Sequence, residues 1–96
     1  MLTITVRNTN QVVKSLEREL DSVMTRVAND TLGVARSKTP IDQGRARRGW
    51  RMEKSYRLIN IVNRVPYIDE LERGRSKQAP SGILGPTVRE ISRRRY

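Results

Sequence analysis

QVVKSLERELDSVMTRVANDTLGVARSK, residues 11–38, is the stretch on which the fold turns. Val13, Leu16, Leu20, Val23, Val27 and Val34 recur at helical spacing, and Val12, Met24, Ala28 and Ala35 widen the stripe. Lys14, Glu17, Arg18, Asp21 and Arg26 occupy the opposite side. A period near 3.6 with segregated polarity predicts one long amphipathic helix. Thr31 and Gly33 are weak helix formers, so a bend or fraying is expected near them. Pro40 bars continuation, and Thr39 before it is pushed toward an extended conformation.

The period changes on both sides of this helix. Leu2, Ile4 and Val6 alternate with Thr3 and Thr5, which predicts a half-buried strand over 2–6. Arg7-Asn8-Thr9-Asn10 reads as a turn carrying a helix cap. After Pro40, the run Ile41-Asp42-Gln43-Gly44 reads as a turn, with Asp42 as cap for the basic segment Arg45-Ala46-Arg47-Arg48. Two antiparallel strands are expected over 50–63, with Trp50 and Met52 on one face because they are two apart. Pro66 suits the first position of a short helix, 66–73, and Gly74 suits its stop. Residues 74–86 read as a polar loop pinned by Pro80 and Pro86. A C-terminal helical segment, 86–93, should bury Val88 and Ile91. The tail Arg93-Arg94-Arg95-Tyr96 reads as mobile. The expected class is α+β: one long amphipathic helix packed on a small antiparallel sheet, with short helices and a long loop, in a single domain.

Composition narrows the function. The chain has 96 residues, is 35% hydrophobic and has no Phe, so its core is modest and neighbouring subunits are expected to add stability. The net charge is +10, and sixteen of the 20 basic residues are arginine. Arginine forks onto carboxylates and phosphates, which favours interfaces over simple solubility. The absence of His removes the commonest general base, and the absence of Cys removes thiolate nucleophiles and the usual zinc ligands. Asp69, Glu70 and Glu72 read as a solvated or salt-bridged acidic helix face in preference to a metal site. Ser76-Lys77 lacks an oxyanion-hole pattern, and Gly82-x-x-Gly85 lacks the Lys-Ser/Thr of a phosphate loop. No enzyme activity, cofactor or metal is expected. No apolar run is long enough for a bilayer, and Met1–Val6 lacks the pattern of a signal peptide, so the expectation is a soluble cytoplasmic product without membrane association.

Arg45, Arg47, Arg48, Arg51, Lys54 and Arg57, with Trp50 and Tyr56 between them, form the densest basic cluster. It suits a nucleic-acid surface, or else Trp50 and Tyr56 are core or interface anchors with the arginines on the rim, and the second is preferred. Arg51, Lys54 and Arg57 are the candidates for facing DNA. In the loop, Arg75 and Lys77 supply charge, while Ile83 and Leu84 are expected either as exposed apolar docking anchors or folded back onto the long helix.

The order of features resembles a known family. The matching residues are Pro40-x-Asp42-x-Gly44-Arg45 and Tyr67-x-x-x-Leu71-Glu72-x-Gly74-x-Ser76-Lys77-Gln78-Ala79-Pro80, with a helix before them and an apolar segment after. Across roughly residues 10–91 the chain resembles the tail-completion and head–tail joining proteins of long-tailed bacteriophages, the minor tail protein Z-like family. The resemblance implies a virion protein made in the host bacterial cytoplasm. It implies a ring of copies at the tail–head junction, a hexamer or else a twelve-fold ring, against connector, adaptor and tail proteins and near packaged DNA. Family members usually continue with a longer helix where this chain stops soon after Ile91. The interface residues expected on this reading are Arg45, Arg47, Arg48, Trp50, Tyr67, Asp69, Glu70, Glu72, Arg75, Lys77, Gln78, Ile83 and Leu84. The competing expectation is a small basic, non-enzymatic DNA-binding protein.

Overall fold

The computed structural model describes residues 1–7, 14–41, 44–55, 58–74, 76 and 78–94, with side chains described for 1–7 and from 22 onward. In chain order the elements are β1 (Leu2–Arg7), α1 (Lys14–Lys38), α2 (Arg45–Arg48), β2 (Trp50–Ser55), β3 (Leu58–Asn63), α3 (Ile68–Glu72) and α4 (Leu84–Ser92). The class is α+β. The expected turn at 8–10, the Asp42 cap, Tyr56, Arg57, Arg75, Lys77 and the last two residues lie outside the described residues.

The sheet has the order β1-β3-β2, antiparallel throughout. Its register aligns Leu2, Asn63 and Trp50 in one row, and Ile4, Ile61 and Met52 in another. These rows point to the same face, which is the buried one: Trp50, Ile59, Ile61 and Asn63 are fully buried. A strand's side chains alternate with period two, so the other face carries Thr3, Thr5, Arg7, Arg51, Glu53, Ser55, Leu58, Asn60 and Val62.

Helix α1 packs on the inner face and α4 packs on α1. The helix brings small residues to the core: Ala28, Thr31 and Ala35 are buried, with Met24 and Val34 beside them. The sheet supplies the bulk through Trp50, Ile59 and Ile61, so a large-against-small arrangement fills the space. Val23 and Val27 are only half-buried, which moves the inward stripe from where the valines alone would put it. The helix does not break at Thr31 or Gly33: α1 runs unbroken to Lys38. The Thr31 hydroxyl donates to the Val27 carbonyl at 2.7 Å, so it is buried with its hydrogen bond made.

Three further expectations are corrected. Pro66 precedes the helix instead of opening it, since α3 starts at Ile68 with Tyr67 as its N-cap. Helix α4 begins at Leu84, so the loop is shorter than 74–86. Its buried residue is Thr87, while Val88 is 49% exposed and Ile91 half-buried. The Thr87 hydroxyl donates to the Ile83 carbonyl at 2.7 Å, which lets a polar residue take the inward position.

Candidate functional site

Two corners of the fold lie beside the 40–45 and 67–80 segments. The first joins α1, α2 and β2 through Thr39, which is 1% exposed. Its hydroxyl donates to the Ala35 carbonyl at 2.6 Å and accepts from Trp50 Nε1 at 2.8 Å. Its carbonyl accepts from Arg47 Nη2 at 2.9 Å. Asn63 completes the corner from β3: its Nδ2 donates to the Ala46 carbonyl at 2.7 Å, and its Oδ1 accepts from Val65 N at 3.0 Å. A side chain at Gly49 would meet Val65 at 2.4 Å, so glycine is what lets α2 turn into β2 here.

The second corner closes α3 onto the start of α4. The Glu72 carboxylate accepts from Ile83 N at 3.1 Å and Leu84 N at 3.0 Å. These amides are at the helix N-terminus, where donors lack an intrahelical partner and the helix dipole favours negative charge. Gly82 has φ +81°, and a Cβ there would meet Glu72 Oε1 at 2.4 Å and its carbonyl oxygen at 2.6 Å. Only glycine adopts this backbone at low cost and leaves room for the carboxylate.

Several expected interface residues therefore belong to the fold. Trp50 is fully buried and is a core residue, because its indole N–H is consumed inside the first corner. Ile83 is fully buried in the same core and Leu84 is half-buried against it, so neither is an exposed docking anchor. Arg47 is drawn to the Thr39 carbonyl and Glu72 to α4. Gln78 Oε1 accepts from Ile41 N at 2.9 Å, fastening the loop to the chain beyond α1. The sequence marked these residues as special but does not show whether a special residue faces inward or outward.

What remains at the surface is charged. Arg45 and Arg48 are exposed on α2. Tyr67 is 36% exposed at the start of α3. Asp69 accepts from the Met1 ammonium at 2.8 Å, and Glu70 pairs with Arg73 at 3.0 Å. Both pairs are solvent-accessible, and exposed pairs are weak enough to exchange partners. Arg51 is exposed, and its Nη1 donates to the carbonyls of Arg48 and Trp50. Lys54 lies on the opposite parity from Arg51 and reaches the Thr25 hydroxyl on α1 at 3.3 Å. The three expected DNA-facing residues thus do not share a face: Arg51 and Lys54 diverge, and Arg57 is outside the described residues.

Two surface depressions flank α4. A polar one between α1 and α4 is lined by Asp30, Glu90 and Arg94; the pairs Lys38–Glu90 and Arg94–Asp30 link α1 to the C-terminal segment, while Arg94–Glu90 lies within that segment. The other is apolar, about 240 Å³, between Ile4 and Val6 of β1, Val27 of α1, and Val88 and Ile91 of α4. Among the described residues no cluster of three or more acidic side chains suited to a metal occurs, and no helix is long and apolar enough to cross a membrane. The chain matches no protein-family model, no curated protein and no solved structure.

Proposed function

We propose that this chain is a structural, non-enzymatic subunit of a tailed-phage virion, assembling into a ring at the head–tail junction. The order of motifs is one support: a long helix, amphipathic in sequence, then the Pro40–Trp50 and Tyr67–Pro80 segments. The observation that carries the assembly is the separation of charge. Exposed Arg45 and Arg48 lie on α2, whereas Asp69 and Glu70 lie on α3 in exchangeable surface pairs. Unlike patches on different elements suit head-to-tail contacts, and such contacts close into a ring when the rotation allows.

The contact runs from Arg45 and Arg48 of one copy to Asp69 and Glu70 of the next. Arg47 and Glu72, each already bonded inside its own corner, are left out. Light scattering on purified protein tests this. Arg45→Glu with Arg48→Glu should reduce assembly, as should Asp69→Arg with Glu70→Arg. Combining all four should restore it in part. A four-fold variant no better than either pair rules this contact out.

A further inference from the structure

We infer that the bare outer face of the sheet is a binding surface for the phosphate backbone of duplex DNA. Thr3, Thr5, Arg7, Arg51, Glu53 and Ser55 are all exposed on it, so no described element lies against that side. Arg64, the next residue of β3's outward parity, is exposed there too. Among the described residues the face therefore carries three guanidinium groups and one carboxylate, the latter paired with Arg64. Thr3, Thr5 and Asn60 add small polar groups, the kind that contact phosphate oxygens alongside arginine.

The arrangement favours a polyanion over a protein partner. Protein interfaces draw their energy from apolar or aromatic anchors. Here Val62 is 3% exposed, Leu58 is half-buried and no described aromatic side chain points outward. The Arg64–Glu53 ion pair spans Val62, because Glu53 is registered with Asn60 on one side of it and Arg64 lies two residues beyond it on the other. The absence of a stacking ring among the described residues of this face argues for duplex over splayed single strands, and for binding without base readout. Arg7 and Arg51 are four rows and two strand spacings apart, roughly 15–17 Å by ordinary sheet dimensions. Duplex DNA offers about one charge per 1.7 Å of axis, so both ends of the face meet phosphate in most placements.

The surface differs from the sequence-derived cluster. Arg7 comes from a distant part of the chain and joins Arg51 and Arg64 only through strand pairing, while Lys54 turns away. The inference does not rest on the ring: the patches on α2 and α3 are read by assembly, and this face is read by DNA affinity.

Fluorescence anisotropy with a labelled duplex, over about 50 to 200 mM salt, tests it. The full-length protein should bind weakly and without sequence preference. Arg7→Gln, Arg51→Gln and Arg64→Gln should each lower the slope of log affinity against log salt by about 0.9. The triple variant is compared with Arg26→Gln, Arg89→Gln and Arg93→Gln, which removes equal charge from exposed positions on α1, on α4 and just after α4. The face variant should lose far more affinity, and Glu53→Gln should gain it. Equal losses in the two triple variants, a clear sequence preference, or no binding at the low-salt end would each overturn the proposal. Circular dichroism on each variant checks that these exposed changes leave the fold intact.

Discussion

The two corners do similar work with different physics. The Thr39–Trp50 corner is interior: a buried indole donates to a buried hydroxyl, and a buried amide is satisfied by backbone groups beside them. The Glu72–Gly82 corner lies nearer the surface, and one half-buried carboxylate holds two amides. In the first, each polar group lacks water as a substitute, so loss of one member leaves an orphan. In the second, water can replace part of what is lost. The first corner is therefore a condition of folding and the second a condition of local order in α4.

Trp50→Ala should show the largest effect. Removing a large buried aromatic costs about 3–5 kcal/mol, and it also takes the donor from the Thr39 hydroxyl. Domain stability is typically about 5–15 kcal/mol, so much of the population is expected to unfold. Urea titration followed by circular dichroism measures this, since the substitution removes the chain's one Trp. Trp50→Phe keeps most of the packing and should cost less. A near-neutral Trp50→Ala would erase the distinction between the corners.

Gly82→Ala and Glu72→Ala probe the second corner. The added methyl combines positive-φ strain of about 1–3 kcal/mol with a clash against Glu72. Loss of the carboxylate leaves the Ile83 and Leu84 amides without their acceptor, about 1–3 kcal/mol when burial blocks water. Both act on one contact, so the double variant should fall short of the sum. Hydrogen exchange should accelerate at Ile83, Leu84 and Thr87 while β3 amides stay protected. Equal acceleration in β3 would make this corner as global as the first.

The smallest effect separates both corners from the open face. The hydrogen bond from Arg64 holds the Glu53 carboxyl below its ordinary range; slight desolvation opposes this and charge attraction adds to it. A carboxyl depressed in the folded state contributes stability above its unfolded pKa, and that contribution disappears as pH falls through the folded value. Wild type should therefore gain slightly over Arg64→Gln above pH about 5 and lose the advantage at lower pH. Thermal melts across that range measure it. A difference that persists in strong acid would point to packing over Val62 instead of charge.

Local periodicity and chain stiffness determined much of this protein from sequence. Alternation at Leu2–Val6 and β-branched enrichment at Leu58–Val62 made strands legible, and the 3.6 period with Pro40 behind it marked the long helix and its end. Gly74 and Gly82 were visible as punctuation, but not as the space required by Pro80 and Glu72. Only the tertiary structure decided which special residues face inward. Trp50 and Ile83 were equally compatible with an interface until α1 and the two corners enclosed them. Thr31 and Thr87 took core positions because a helix carbonyl one turn back accepts each hydroxyl, a partner invisible to a polarity pattern. The grouping of Arg7, Arg51 and Arg64 was likewise beyond the sequence. Register sets which side chains share a face, and β1 reaches that face by pairing with β3, more than forty residues away in the chain, while β2 and β3 form a local hairpin.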